Sequence, residues 1–335
     1  MELSTIKFPD FVKLGEVLWL KGADSVKNSM MDSGFVATIN IDENSGSTRE
    51  FSEIDTNEYL SYKAEGDQAS RGKYQQGYTK TMTKYRVAEN TGITYEMRKE
   101  NKYNDVVSEL MAAGRKGYNT IDLDLSHRIT FATSTSYTDR NGRTIDTTTG
   151  DGYQLAYSAH TLKGSSTTFR NILANNPKIS KGSLEAMERM IVENTYSHLG
   201  EKKTIEYDIV WTTDDPNSVN TAREYLLSTS DVEGAHSGII NVYNNKYRLV
   251  ILPRVATDKD GNTDTTKRYY WGLASSFQQP IKLGMWEAPH MDAPSAGSNG
   301  DDIQTDDWEF RTRAGYGICT PGPKGFTISL GDGSN

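Results

Sequence analysis

The side chains that could do chemistry in this sequence are five histidines, one cysteine and a few carboxylate pairs. His127, His160, His198, His236 and His290 are well separated, and no two have the four-residue helical spacing that puts two imidazoles on one metal. Each is expected to be a surface or half-buried histidine rather than a ligand or a base. Cys319 ends an apolar alternation two residues before Pro321, with no nucleophile signature around it, and reads as a packed small hydrophobe. No Gly-x-Ser-x-Gly elbow is present. Asp258, Asp260, Asn262 and Asp264 alternate around Gly261 like a calcium loop, but the glycine is misplaced and no terminal bidentate Glu follows. A solvated turn is the simpler expectation. Gly150-Asp151-Gly152 lacks the Lys-Ser/Thr pair of a phosphate-cradling loop and the strand-glycine-helix order of a dinucleotide site. Asp214-Asp215 and Asp306-Asp307 are adjacent, which does not place two carboxyls across a substrate; cap and loop roles explain them. Catalytic residues, metal ligands and cofactors are therefore not expected.

What remains is a charge complementarity. Between Glu287 and Glu309 lie Asp292, Asp301, Asp302, Asp306 and Asp307 with no Lys or Arg, whereas Tyr62 to Arg86 carries Lys63, Arg71, Lys73, Lys80, Lys84 and Arg86 against Glu65 and Asp67. Arg71, Lys73, Lys80, Lys84 and Arg86 are thus candidate interface residues, with Asp301, Asp302, Asp306 and Asp307 opposite them. Docked between subunits, the two stretches would set register, with modest energy per exposed pair and sensitivity to salt. Docked within one subunit, they would be ordinary surface electrostatics. Tyr74, Tyr78 and Tyr85 would suit stacking on nucleic-acid bases, but the basic block is short, so a solvated hairpin or a contact to an acidic neighbour is favoured.

The elements that must position these residues belong to a chain of 335 residues with 45 Asp and Glu against 37 Lys and Arg, net −8, and 35% apolar. That length suits one elaborate domain or two ordinary ones. No apolar run approaches the roughly 20 residues of a bilayer span, and the amino terminus lacks a signal-peptide pattern. A single cysteine excludes an intrachain disulfide framework and a thiolate zinc site, and fits a reducing cytoplasm. The acidic balance argues against tight sequence-reading of nucleic acid.

Residues 1 to about 60 mix short apolar clusters with Ser, Asn and Gly and show no sustained period, which reads as an extended arm. Its apolar clusters need another surface, either a neighbouring subunit or the edge of the same domain. A basic projecting loop follows. The clearest helix begins at Asn104 or Asp105, either able to cap it, and Val107, Leu110, Gly114, Tyr118, Ile121, Leu125, Ile129 and Ala132 line one face. It would run about 40 Å, a strut in which Gly114 and Gly117 mark a close backbone approach or a bend. A second helix carries Leu184, Met187, Ile191 and Thr195, with Leu199-Gly200 as its stop. Ile205, Tyr207, Ile209 and Trp211 alternate as a half-buried strand, and Asp215-Pro216 starts a helix. Strands are expected around Tyr247 to Ile251, Tyr269 to Trp271 and Ile281 to Met285. The longest alternation, Trp308, Phe310, Thr312, Ala314, Tyr316 and Ile318, reads as a long closing strand. Helices and strands do not alternate regularly, so the class is α+β.

This order of parts resembles the major capsid proteins of tailed bacteriophages with the Hong Kong 97 fold, and within them the Mu-like major head subunits. "YRVAENTGITYEMRKENKYND" leads into what looks like the family's spine helix. "DGYQLAYSAH" is similar to that group's Asp-Gly, aromatic and His segment, and "LEAMERMIVENTYSHLGEKKTIEYDIVWTTDDPNSVNTAREYLLST" to its axial-domain helix, strand and helix. "NVYNNKYRLVILPRV", "YYWGLASS" and "WEFRTRAGYGICTPGPKGF" resemble the strands that follow and close the fold. The likeness spans about residues 60 to 328 and is architectural. It implies an amino-terminal arm over 1–60, an extended β-hairpin loop over 61–98, a peripheral domain with the spine helix over 99–135 and 266–335, and an axial domain over 136–265. It further implies a shell protein without catalytic activity or cofactor, a homo-oligomer of hexamers and pentamers around double-stranded DNA held by non-specific contacts. Scaffolding, portal and decoration proteins would be its partners, and it would be assembled in the host cytoplasm into a virion, without a membrane. No long coiled-coil-like amino-terminal segment is present of the sort some relatives use as a fused scaffold. An encapsulin-like compartment shares the fold, and a soluble β-rich hydrolase or sugar-binding protein is the alternative from another class.

Overall fold

The computed structural model describes residues 7–230, 240–292 and 307–333. In chain order these form α1 (Phe8–Asp24), β1 (Val36–Asn40), β2 (Thr48–Thr56), β3 (Tyr74–Thr83), β4 (Tyr85–Ile93), α2 (Tyr95–Lys99), α3 (Tyr103–Thr130), β5 (Ser136–Thr138), β6 (Thr144–Asp146), β7 (His160–Leu162) and β8 (Ser165–Phe169). Then follow α4 (Lys181–Asn194), β9 (Ile209–Thr212), α5 (Pro216–Leu227), β10 (Arg248–Ile251), β11 (Trp271–Ala274), β12 (Ile281–Asp292) and β13 (Trp308–Cys319).

The long helix predicted from spacing is α3, 28 residues, about 42 Å at the usual rise. Neither Asn104 nor Asp105 caps it. The helix starts at Tyr103 after Lys102 without a side-chain cap, and Asp105 instead lies in the first turn, where a negative charge suits the helix dipole.

Residues 8–24, expected to be extended, are helical. Phe11, Leu18, Trp19, Gly22 and Ala23 share the buried face of α1, with helical spacing that glycines and the off-face Val17 and Leu20 disguise in the sequence. The glycines are themselves the contact. A Cβ on Gly22 would overlap the Met111 carbonyl of α3, and one on Gly114 would overlap the Trp19 carbonyl of α1. Gly114 therefore marks a close approach of two backbones. Gly117 packs against the Pro289 ring, whose Cβ would lie 3.0 Å from an added Cβ. Phe11 and Leu18 join Val106, Leu110, Ile93, Trp308 and Phe310 in one cluster, and Trp19 Nε1 donates to Thr312 Oγ1 at 3.0 Å. The apolar residues of this leading segment are thus covered mainly by their own chain.

The main sheet has the order β1-β12-β13-β4, with β1 parallel to β12 and the other pairs antiparallel. Trp308, Phe310, Thr312, Ala314, Tyr316 and Ile318 of β13 are all buried, as the alternation predicts; from Ala314 onward both faces are covered. Ile121, Leu125 and Ile129 of α3 pack with Ile281, Leu283, Ala314, Tyr316 and Ile318 in the largest core.

A smaller sheet, β10-β9-β11, carries the second core. β9 was expected to be half-buried, yet all four of its residues are buried. Ile209 and Trp211 face the main core, while Val210 packs with Leu184 and Met187 of α4 and Ala222 and Leu226 of α5. Asp215 caps α5 by accepting the Ser218 N–H at 3.2 Å, the role expected of it. β11 extends this sheet past the boundary expected at residue 265, and Phe326 and Ser329 bridge back to Ala274 and Trp271. Strand pairing therefore joins these residues to β9, because pairing links segments remote in sequence.

Near the end of α3, His127 is buried against Phe131 and Tyr137, and its Nε2 lies 3.0 Å from the Asp258 carbonyl oxygen. Burial, aided by the Lys267 and Arg140 charges, lowers its pKa to about 4. A histidine held neutral in the fold binds a proton more readily when unfolded. Stability is then full above its ordinary value of 6.5 and falls as pH drops toward 4, by roughly 2 to 3 kcal/mol. His127→Phe should flatten that part of the stability profile, read by urea unfolding at pH 7, 5.5 and 4.5; an unchanged slope would assign the loss to other groups.

Candidate assembly surface

The projecting hairpin consists of β2 and β3, paired from Thr48↔Thr83 to Thr56↔Tyr74. It was expected over 61–98, but β4 belongs to the main sheet, where Tyr85↔Tyr316 to Ile93↔Trp308 pair with β13. Only Lys84 separates β3 from β4. An alternating stretch announces a strand but not its partner, so the change of sheet has no local signal. The tip, residues 57–73, is almost wholly exposed. Leu60 and Tyr62 are each 97% exposed, with Ile54, Tyr59 and Tyr74 also outward. A concentration of exposed apolar residues on a projection is the mark of an interaction surface.

The hairpin's base is clamped to the body. Glu53 and Asp55 are two residues apart on β2 and so share a face. Asp55 accepts the His198 backbone N–H at 2.7 Å, Lys203 Nζ at 2.8 Å and Lys324 Nζ at 3.0 Å. Glu53 Oε2 lies 3.0 Å from His198 Nε2 and 3.6 Å from Lys324 Nζ. The side chains of Asp55 and Lys324 are only 5% and 7% exposed. Burial pushes both carboxyl pKa values up, but their partners win. The Lys203 hydrogen bond and the Lys324 charge hold Asp55 well below its ordinary value, and the His198 hydrogen bond with the Lys324 charge lowers Glu53. On β3, Gly77 lies flat on the His198 ring, where a Cβ would overlap the imidazole. Lys163 Nζ donates to its carbonyl at 3.2 Å, and the Tyr78 and Thr161 hydroxyls meet at 3.0 Å. None of this convergence was foreseen: the partners are scattered between residues 53 and 324, and the period-two placement of Glu53 and Asp55 was the one local sign.

The candidate interface cations are not gathered at one place. Lys80 pairs with Asp146 at 2.6 Å and donates to Thr148 at 2.7 Å. Arg86, already in the main sheet, pairs with Glu43 at 3.2 Å and lies 3.7 Å from Glu287. Both carboxylates belong to its own chain. Lys84 is half-buried where the chain changes sheets, its Cε beside Gly315. Arg71 and Lys73 lie exposed on the tip, and no carboxylate stands within ion-pair distance of either among the described residues. Asp307 precedes β13 close to Gly92. Asp301, Asp302 and Asp306 fall outside the described residues, as does His236.

Of the other chemistry-bearing groups, His160, Asp151 and Cys319 are packed and Asp258 serves an exposed turn. His160 Nδ1 and Asp151 Oδ2 are 2.8 Å apart in full burial, and Asp151 also accepts from Thr149. Burial raises the Asp151 pKa, but the bond to His160 outweighs it and the net shift is downward. The pair ties residues 149–153 to β7, giving the "DGYQLAYSAH" segment a structural use. Cys319 is buried beside Met82 and Trp286, and burial pushes its thiol up to about 12, away from nucleophilic use. Asp258 accepts the N–H groups of Asp260 and Asn262 at 2.9 and 2.8 Å, closing a turn. No helix among the described residues is long and apolar enough to cross a membrane.

No protein-family model matches the sequence, and no curated protein does. Among solved structures, the chain is similar to the capsid of Ralstonia phage GP4, with 12% identity, 89% of this chain and 87% of that chain covered, and a TM-score of 0.50. It is also similar to the capsid structure of cyanophage P-SCSP1u (12% identity, 86% and 84% covered, TM-score 0.47) and to a virus-like particle from Pyrococcus furiosus (9%, 94% and 97%, 0.44). At such identity the shared property is the fold. The α+β Hong Kong 97-like architecture expected from the order of elements is the one this chain has.

Proposed function

We propose that the chain is a major capsid protein, the repeated tile of a tailed-phage head. It forms hexamers and pentamers that close into an icosahedral or prolate shell around double-stranded DNA. The observation that carries this is the hairpin: a tip with Leu60 and Tyr62 in full solvent, on a base fixed to its own body by buried charges. A single copy cannot cover such a tip, whereas a neighbour can, and many modest contacts per copy make a closed shell stable. The GP4 likeness supports the same reading. In it the protein acts as structure rather than as an enzyme, its place is the virion after assembly in the host cytoplasm, and scaffolding, portal and decoration proteins are its partners. Arg71 and Lys73 on the tip, with Asp307, serve as contacts between copies. The Mu-like grouping rests on the sequence segments quoted above.

Electron microscopy of the purified chain should show uniform shells or ring-shaped capsomers. The double substitution Leu60→Asp and Tyr62→Asp changes only exposed positions, so the thermal midpoint should stay within about 2 °C while shells and rings disappear. Assembly that survives it would remove the tip from the contact. Particles filled with a protein cargo rather than nucleic acid would move the assignment to an encapsulin-like compartment.

A further inference from the structure

One surface is unused by the hairpin. A cleft of about 800 Å³ lies between α3, the outer edge of the main sheet and the loops at 139–143 and 254–261. Six cations line it: Arg86, Lys116, Arg140, Arg143, Arg254 and Arg313, against Glu89 and Asp260. In a chain of net charge −8, the surface of the cleft is mainly cationic, while the carboxylates that pair with most of these side chains stand largely behind the wall.

The guanidinium groups are set from behind. Asp139, 5% exposed, takes Arg143 Nε at 2.7 Å while also accepting the Asn141 and Arg143 backbone N–H groups. Fully buried Asp122 takes Arg254, whose second nitrogen donates to Asn119 at 2.6 Å. Arg313 Nε donates to His290 Nε2 at 2.9 Å, with the buried Glu287 at 2.9 Å and Asp292 at 3.1 Å as its ion-pair partners. Each of these carboxylates occupies part of a five-donor fork and leaves other N–H groups for a ligand. Lys116 pairs with Glu89 inside the cleft. Arg140 donates to the Thr120 hydroxyl at 3.1 Å and has no carboxylate within ion-pair distance among the described residues.

The lining also says what does not bind. It contains no aromatic residue and no methionine, and its apolar members are Val87, Ala88, Leu123 and Ala314. Protein interfaces concentrate aromatic residues and methionine at their cores, and base recognition on single strands needs stacking platforms. Fixed cations without either are suited to a chain of phosphates whose bases are not read.

We propose that this cleft binds the phosphodiester backbone of nucleic acid without regard to sequence, which makes it the face of the subunit turned toward the packaged genome. The identity of the polyanion rests on the capsid reading, while the cleft's own affinity is tested without a shell. The full-length unassembled chain is titrated against a fluorescent 20-base-pair duplex across a salt series, and assembly is followed separately by electron microscopy. The parent should bind two unrelated duplexes equally. Lys116→Glu with Arg140→Glu should weaken binding at low salt about tenfold or more and make the slope of log K against log salt shallower by about 1 to 2, while shells still form. If this pair does not fold, judged by circular dichroism, Arg140→Ala at an exposed position carries the test, with a smaller loss and a slope change of about 1. Parent-like DNA binding by the folded variant overturns the proposal. So does parent-like binding with lost assembly, which would mark the cleft as a contact for an acidic surface of a second copy. No DNA binding by the parent overturns it as well. Binding by a parent that never assembles leaves the cleft standing and removes the capsid reading instead.

Discussion

Gly114→Leu should detach α1 from the rest of the chain. The new side chain would overlap the Trp19 carbonyl oxygen, and a backbone atom cannot move aside as a flexible side chain does. Overpacking ordinarily costs 1 to 3 kcal/mol. Here relief means lifting the helix, which uncovers Phe11, Leu18 and Trp19, all now buried, at about 1.5 to 3 kcal/mol for each large side chain. A loss on the order of 5 kcal/mol is expected, read as a lowered urea midpoint together with protease cleavage within residues 8–24. Gly22→Ala should act in the same direction from the other side of the contact. Gly182→Ala is the control, with open space at the Cβ position inside α4, and should be neutral or stabilising by under about 1 kcal/mol. Equal tolerance at positions 114 and 182 would mean that the two helices do not touch as described.

The second large effect concerns the clamp at the hairpin's base. Lys324→Met removes one cation from two carboxylates and leaves Asp55 buried with less compensation, a change that costs about 3 to 5 kcal/mol where a buried pair is broken. Acid should act on the same place. Asp55 and Glu53 have pKa values below their ordinary 3.8 and 4.5. A depressed carboxyl stabilises the fold fully above its ordinary value, and the contribution is lost as pH falls through the lower native one. The clamp is thus intact at neutral pH and loosens below about pH 4. Hydrogen exchange of the β2 and β3 amides should accelerate there, and in Asp55→Asn it should already be fast at pH 6. If the exchange of Asp55→Asn at pH 6 matched that of the parent, the carboxylate would not be what holds the hairpin down.

The sequence made some of this visible and hid the rest for physical reasons. α3 and β13 were legible because each buries one continuous face, so the period survives along its length. The Asp215 cap and the cysteine's burial were legible because local rules decide them. α1 was missed because its contact face is built partly from glycine, which carries no hydrophobic signal, while Val17 and Leu20 face outward. The hairpin's limits were misplaced because pairing partners, unlike strand character, are set by tertiary structure. Of the basic segment, Arg86 lies 3.7 Å from Glu287 within the chain, while Asp301, Asp302 and Asp306 fall outside the described residues. The cations of the cleft come from α3, β4, β13 and two loops, and no one-dimensional charge count could gather them.

The single residue between β3 and β4 has a mechanical consequence. With only Lys84 as a link, there is no slack to absorb a tug at the far end of the protrusion. A pull on that end passes along continuous backbone into β4 and, through its ladder with β13, across the whole four-stranded sheet. Load on one slender extension is thereby shared over a broad, stiff platform.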